Sequence, residues 1–178
     1  MAPEGHGGFR RIWERPKWRL PVGMTLQSSA FQNGDRIPIR HTGDGEDHSP
    51  PLTWSIPPPS TRELVLLCDD PDAPRTEPWV HWVIYNLPLG HSELPEGIPK
   101  VGVLTEPRGA LQGVNSWGNL GYGGPAPPAG HGQHRYYFRL YALSSPLAVG
   151  AGLSKPELLR KIEGLVVARG ELMGTYSR

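Results

Sequence analysis

Glycine and proline together make up about a quarter of this chain, with 23 Gly and 21 Pro among 178 residues. Each of them costs about 1 to 3 kcal/mol in a helix interior, so a fold built from long helices is excluded. Short strands joined by many turns suit this composition better. Six Trp, six Tyr and the apolar runs at 64–68 and 80–85 indicate a packed core and argue against disorder. The sequence therefore predicts a mainly β domain.

The charge balance and the absence of long apolar segments narrow the class of protein further. Eighteen Lys and Arg stand against 17 Asp and Glu, so the net charge of +1 gives no reason to expect a nucleic-acid partner. Residues 1–21 hold five basic residues and two glutamates, and we interpret them as an N-terminal extension; the alternative is an arm for a nucleic acid or an anionic membrane surface. No segment resembles a membrane span or a signal peptide, so we expect a soluble, cytoplasmic protein.

Three apolar runs predict the central strands, and one pattern predicts a helix. The strands are expected at 63–69, 79–87 and 135–143, the first of them covered on both faces. The single Cys68 lies in the first run and is expected to pack as a small hydrophobic residue. Ser154 and Glu157 form a capping box, and apolar residues at 158, 159, 162, 165, 166 and 172 predict an amphipathic helix that continues to Leu172 as the last element of the chain.

Polar side chains at the ends of these strands suggest a binding site beside the Gly- and Pro-rich segment at 109–132. Asp70 follows the first strand and lies in a corner stiffened by prolines. Alternation along the second strand places Trp79, His81, Val83 and Tyr85 on one face. Along the third strand, His134, Tyr136, Phe138 and Leu140 share a face. Two imidazoles and a phenol can donate to an anion while Asp70 orients one ring, so the pattern predicts a small-anion pocket.

Other chemistries use the same residue types. Two His and one Asp are a known metal-ligand set, but the spacings match no established metal site, so we expect no metal and no cofactor. No activated nucleophile is apparent, because Ser116 lacks the G-x-S-x-G pattern and Cys68 is expected to be buried. General acid–base catalysis by His81, His134 and Asp70 stays open. Each His taken alone is also compatible with a structural role in the core.

Four ordered motifs give the chain a specific resemblance. They are DPDAP at 70–74, HWVIYN at 81–86, GYGGPAPP at 121–128 and HRY at 134–136. In order and spacing they resemble the phosphatidylethanolamine-binding protein family, also called Raf kinase inhibitor-like proteins, and most closely its bacterial and archaeal branch. The likeness extends over residues 22–178, which we interpret as one domain after the extension at 1–21.

The resemblance implies a fold, a site and a set of functions. The implied fold is a Greek-key β-sandwich of two antiparallel sheets with a C-terminal helix. The implied pocket contains Asp70, His81, His134 and Tyr136, with Tyr122, Ala126 and Pro128 at its rim. The implied function is the binding of a small anion, phosphate or a phospholipid headgroup, with a regulatory role. The alternatives are an enzyme that acts on a small metabolite, and an inhibitor of serine proteases or kinases. A protein partner and a homodimer are further expectations.

Overall fold

The computed structural model describes residues 22–178, so the extension predicted at 1–21 lies outside the described residues. This part of the chain forms nine strands, one α-helix and a short 3-10 turn at Ile39–His41. The strands are β1 (Val22–Gly23), β2 (Leu26–Gln27), β3 (Leu52–Trp54), β4 (Glu63–Asp70), β5 (Trp79–Leu87), β6 (Glu93–Leu94), β7 (Leu111–Gln112), β8 (His134–Leu143) and β9 (Val166–Tyr176), and the helix α1 is Lys155–Ile162.

The strands form two sheets, as the family resemblance implies. The larger sheet has the order β1-β9-β8-β4-β5-β7, and the smaller has the order β2-β3-β6. Strand β8 returns to pair with β4 on the side opposite β5, which gives the Greek-key order β8-β4-β5-β7. All described strand pairs are antiparallel except β1 and β9, which pair in parallel at the edge of the larger sheet. The expected mainly β architecture is confirmed, with this one parallel edge as a correction.

Strand β4 is buried along its whole length, because both faces of the larger sheet are covered. Leu66 and Cys68 belong to the core between the two sheets, together with Trp54 of β3. Leu67 belongs to a second cluster, in which Leu158 of α1 covers the opposite face. The prediction of a doubly covered strand is confirmed, and Cys68 is buried with a free thiol.

The helix begins where the capping box predicts and ends earlier than expected. The Ser154 side chain accepts from the Glu157 N–H, and the Glu157 carboxylate accepts from the Ser154 N–H. The predicted continuation to Leu172 is wrong, because the helix ends at Ile162 and Gly164 has a φ of +77° that turns the chain. The apolar residues beyond it belong to β9, which is therefore the last element. None of the helices in residues 22–178 is long and apolar enough to cross a membrane.

A bulge in β5 changes which side chains face the same way. The pairing steps from Cys68 opposite Trp82 to Asp69 opposite Val80, so β5 contains one extra residue, His81. The predicted common face of Trp79, His81, Val83 and Tyr85 is therefore wrong, and the list separates into two pairs. Val83 and Tyr85 pack in the helix-covered cluster. Trp79 and His81 instead line a cavity at the end of the sheet.

Candidate functional site

The ends of β4, β5 and β8 enclose a cavity of about 170 Å³. Because β4 lies between β5 and β8, the last residue of β4 meets side chains from both neighbours. The lining residues are Asp70, Ala73, Pro74, Arg75, Trp79, His81, Trp117, Ala126, Pro127, Pro128, His134 and Tyr136. Six of the seven residues predicted from the sequence are among them. The structure thus brings the expected Asp, both His and the Tyr together.

Asp70 and His134 form a buried hydrogen-bonded pair at the base of the cavity. Asp70 Oδ2 lies 2.7 Å from His134 Nδ1, and Asp70 Oδ1 accepts from the Asp72 N–H at 2.7 Å. An ionised carboxylate only accepts, so Nδ1 of His134 carries the proton and donates it to Asp70. The predicted role of Asp70 in orienting one imidazole agrees with this geometry. Nε2 is then the ring nitrogen of His134 that does not contact Asp70.

His81 has a different hydrogen-bond environment. Its Nδ1 lies 2.6 Å from the carbonyl oxygen of Gly123. A carbonyl oxygen only accepts, so Nδ1 carries the proton. Burial lowers the pKa of His81, and the Gly123 contact and Asp70 oppose the shift without cancelling it. Near neutral pH the ring is therefore uncharged and Nε2 accepts hydrogen bonds, so the expected donor role of His81 applies only to its protonated form.

The hydroxyl of Tyr136 is buried at the cavity and has no hydrogen-bond partner within residues 22–178. Its ring stands edge-on to His81, with the ring centroids 5.0 Å apart. Burial raises the pKa of Tyr136, and the negative charge of Asp70 raises it further. The phenol is consequently protonated at neutral pH and is a hydrogen-bond donor without an acceptor.

Three residues that sequence reasoning did not assign to the site form one wall of the cavity. Trp79 and Trp117 are in edge-to-face contact with centroids 5.3 Å apart, and Trp117 also contacts the His81 ring at 5.1 Å. The Arg75 guanidinium lies 5.2 Å from the centroid of the Trp79 ring. Arg75 directly follows the DPDAP motif and Trp79 begins β5, so their positions in the sequence carried a usable signal. Trp117 lies in the Gly- and Pro-rich segment at 109–132, which was expected beside the site, but nothing in the sequence marked this residue within the segment.

Tyr122 does not line the cavity, which corrects its predicted place at the rim. Its side chain is buried, its hydroxyl donates to the carbonyl oxygen of His41 at 2.6 Å, and its ring contacts Trp82. These partners hold it in the core beside a neighbouring groove of about 740 Å³. Ala126 and Pro128 do line the cavity, as expected.

One more imidazole contacts the site from outside the cavity. Nδ1 of the exposed His131 lies 2.6 Å from Nε2 of His134. The two rings stand at 64° to each other. Across the described residues, no group of three or more His, Cys, Asp and Glu is arranged to hold a metal ion. The arrangement is a hydrogen-bonded chain from Asp70 through His134 to His131.

The lowered pKa of His81 predicts a pH-dependent stability. In the unfolded chain His81 takes up its proton near pH 6.5, whereas in the folded protein it does so only at lower pH. Its contribution to the free energy of unfolding is therefore fully present above about pH 6.5 and is lost as the pH falls toward the folded pKa. Urea denaturation between about pH 5 and 8 should show this loss, and His81→Gln should reduce it.

His91 provides the matched control for this measurement, because it is an exposed His in a turn after β5. His91→Gln should keep the pH dependence of the parent protein. The explanation fails if the His81 and His91 variants lose stability equally as the pH falls.

The family model described as phosphatidylethanolamine-binding protein matches residues 27–177. The chain belongs to this family. The expectation from the four motifs is confirmed, and the match covers nearly all of the described residues. The match begins at the last residue of β2 and ends just after β9, so it contains the cavity and every strand from β3 to β9, while β1 lies outside it.

Relatives from archaea and bacteria agree with the branch expected from the sequence. A UPF0098 protein of Methanothermobacter thermautotrophicus is 48% identical over 155 residues, which cover 87% of this chain and 99% of the relative. The crystal structure of Escherichia coli YbcL, described as a member of the mammalian PEBP family, has a TM-score of 0.82 and 29% identity, and the match covers 88% of this chain and 99% of YbcL. A PEBP homologue of Chlamydia trachomatis has a TM-score of 0.78 and 40% identity, over 88% of this chain and 98% of the homologue.

Proposed function

We propose that the cavity binds a small oxyacid anion, either free phosphate or the phosphate group of a lipid headgroup. The observation that carries the proposal is the buried Tyr136 hydroxyl, which has no acceptor among the described residues. A buried polar group without a partner costs about 1–3 kcal/mol. A ligand oxygen at this position would accept from Tyr136 and remove that cost. Membership of the phosphatidylethanolamine-binding protein family supports the same ligand class.

The other polar groups of the cavity fit an oxyacid that keeps one proton. Nε2 of neutral His81 accepts, and Tyr136 donates. Free phosphate or a phosphomonoester that keeps one proton offers one O–H and several bare oxygens, so it matches both, whereas the phosphodiester of an intact phospholipid has no O–H and matches Tyr136 alone. Arg75 supplies positive charge at the wall, while the Asp70 carboxylate is already engaged by His134 and by the Asp72 N–H. The cavity volume of about 170 Å³ suits a headgroup and excludes the acyl chains of a lipid.

Calorimetric titration with inorganic phosphate tests the proposal. The parent protein should bind phosphate, and Tyr136→Phe should weaken the binding about tenfold to a hundredfold, the value of a hydrogen bond to a charged group. Tyr122→Phe is the matched control, because that hydroxyl is also buried but donates to His41 outside the cavity. Its phosphate affinity should equal that of the parent.

Two outcomes contradict the proposal: no binding of phosphate by the parent protein, or an unchanged affinity in Tyr136→Phe. Titration with phosphoethanolamine identifies the source of the phosphate group. Tighter binding of phosphoethanolamine than of phosphate supports a headgroup, and the reverse order supports the free anion.

The finer roles implied by the family resemblance stay predictions. They are regulation through a protein partner, inhibition of serine proteases or kinases, acid–base catalysis by His81, His134 and Asp70, and assembly as a homodimer. Of these, acid–base catalysis has some support in the site, because the chain from Asp70 through His134 to His131 links a buried carboxylate to an exposed imidazole. Conversion of a phosphorylated metabolite by the parent protein, and its loss in His134→Ala, would favour the enzyme.

A further inference from the structure

His131 is hydrogen-bonded to Nε2 of His134, the ring nitrogen that a ligand in the cavity would otherwise contact. An imidazole has two nitrogens, and Nδ1 of His134 already donates to Asp70. Its Nε2 therefore has a lone pair while the ring is neutral, and the facing Nδ1 of His131, 2.6 Å away, is the donor to it. His134 lines the cavity, but its one free hydrogen-bonding atom is engaged by a residue outside the cavity lining.

The segment that carries His131 is held by few contacts. His131 is exposed, and it lies between Gly130 with a φ of +74° and Gly132 with a φ of +92°. A Cβ at either glycine would meet no atom within 4 Å, so neither glycine is packed against neighbouring atoms on that side. The local backbone contacts are the His131 N–H to the Pro128 carbonyl at 3.1 Å and the Gly130 N–H to the Arg178 carbonyl at 3.4 Å. His134, by contrast, is buried in β8 and fixed by Asp70.

We propose that His131 competes with the bound oxyacid for Nε2 of His134 and thereby sets the affinity and the selectivity of the site. The proposal rests on the proposed function. An acid O–H can replace the His131 N–H as the donor to Nε2, because Asp70 keeps the proton of His134 on Nδ1. Dihydrogen phosphate, which has two O–H groups, then satisfies three groups of the cavity, Tyr136 as donor and His81 and His134 as acceptors; the singly protonated form satisfies Tyr136 and one of the two imidazoles. An oxyanion without a proton can satisfy only the first.

The tests are calorimetric titrations of His131→Ala with inorganic phosphate and with sulfate, which carries no proton at neutral pH. Removal of the competing donor should tighten phosphate binding about fivefold, the equivalent of one ordinary hydrogen bond. Sulfate affinity should stay that of the parent, because sulfate has no O–H for Nε2. His91→Ala, which removes an exposed His that does not line the cavity, should change neither affinity.

Nitrogen-15 NMR of the imidazole rings adds a direct readout of the contact. Phosphate added to the parent protein should shift the His131 Nδ1 signal toward that of a solvent-exposed ring, and sulfate should not. A purely structural His131 would give no such difference between the two anions.

The outcomes separate this proposal from the proposed function. If phosphate binds the parent and is lost in Tyr136→Phe, but His131→Ala binds it no more tightly, the competition is overturned and the phosphate site stands. An equal gain for phosphate and sulfate also overturns the competition. If neither the parent nor His131→Ala binds phosphate, both proposals fall together.

Discussion

Asp70→Ala is expected to lower the free energy of unfolding by about 2–5 kcal/mol, because it leaves the buried His134 N–H and the part-buried Asp72 N–H without an acceptor. Asp70 is 3% exposed and accepts from His134 Nδ1 and from the Asp72 N–H, both at 2.7 Å. Water that enters the space left by the shorter side chain replaces only part of the hydrogen bonding that the carboxylate supplied. Urea denaturation at neutral pH measures the effect.

Asp70→Asn should lower the free energy of unfolding less than Asp70→Ala does, because the amide keeps the side-chain volume and one acceptor oxygen. If that oxygen accepts from the Asp72 N–H, the amide NH₂ faces His134 and requires the opposite tautomer, with the proton on Nε2. Nitrogen-15 NMR should then show His134 protonated at Nε2 and donating to His131. An unchanged tautomer would contradict the assignment of Asp70 as the group that orients His134.

Asp72→Ala is the matched control for Asp70→Ala. Asp72 is a neighbouring carboxylate whose ion pair with the half-exposed Arg135 lies at the surface. Surface ion pairs contribute about 0–1 kcal/mol, so this variant should lose far less stability. Comparable losses in Asp70→Ala and Asp72→Ala would show that the buried pair has no special role in the fold.

Gly113→Ala is expected to destabilise the protein by about 3 kcal/mol or more, through overlap that no rotamer can relieve. A Cβ at Gly113 would overlap the carbonyl oxygen of Leu153 and lie 2.8 Å from Cγ1 of Val83. Two backbone hydrogen bonds hold this approach, from the Gly113 N–H to Val83 and from the Val114 N–H to Leu153. The new methyl must therefore break them or shift the chain. The midpoint of chemical denaturation reports the loss.

Gly90→Ala is the control for Gly113→Ala. Gly90 lies in an exposed turn, and a Cβ there would meet nothing within 4 Å. Its stability should stay within about 0.5 kcal/mol of the parent. If the two variants are equally stable, the backbone of Leu153 packs less closely against Gly113 than the structure indicates.

The sequence predicted the features that depend on local patterns. The apolar runs located β4, β5 and β8 to within a residue of their observed bounds, and the capping box located the start of α1. Asp70 and the polar residues of β8 were predictable as site residues because each follows from strand position or simple alternation. Composition marked the Gly- and Pro-rich segment, and the family resemblance added Tyr122, Ala126 and Pro128 within it, of which Ala126 and Pro128 reach the cavity.

Features that depend on pairing between distant segments escaped prediction. The bulge at His81 exists only because β4 and β5 pair with a shifted register, and alternation within one strand cannot show it. The apolar residues after Gly164 fit a helical spacing as well as a strand, and the place of β9 between β1 and β8 decides the outcome. Tyr122 faces the core because its hydroxyl finds an acceptor at His41, a partner 81 residues away.

The strand order also determines when the site can exist during synthesis of the chain. Asp70 and His81 lie close in sequence, but Asp70 and His134 are 64 residues apart. A nascent chain that ends before β8 can form the β4–β5 hairpin and has only one side of the cavity. Strand β8 in turn has β9, the last element of the described residues, along its other edge. A ribosome-bound chain therefore has all the residues that line the cavity only once the start of β8 has been made, and shorter nascent chains lack His134, the partner of Asp70.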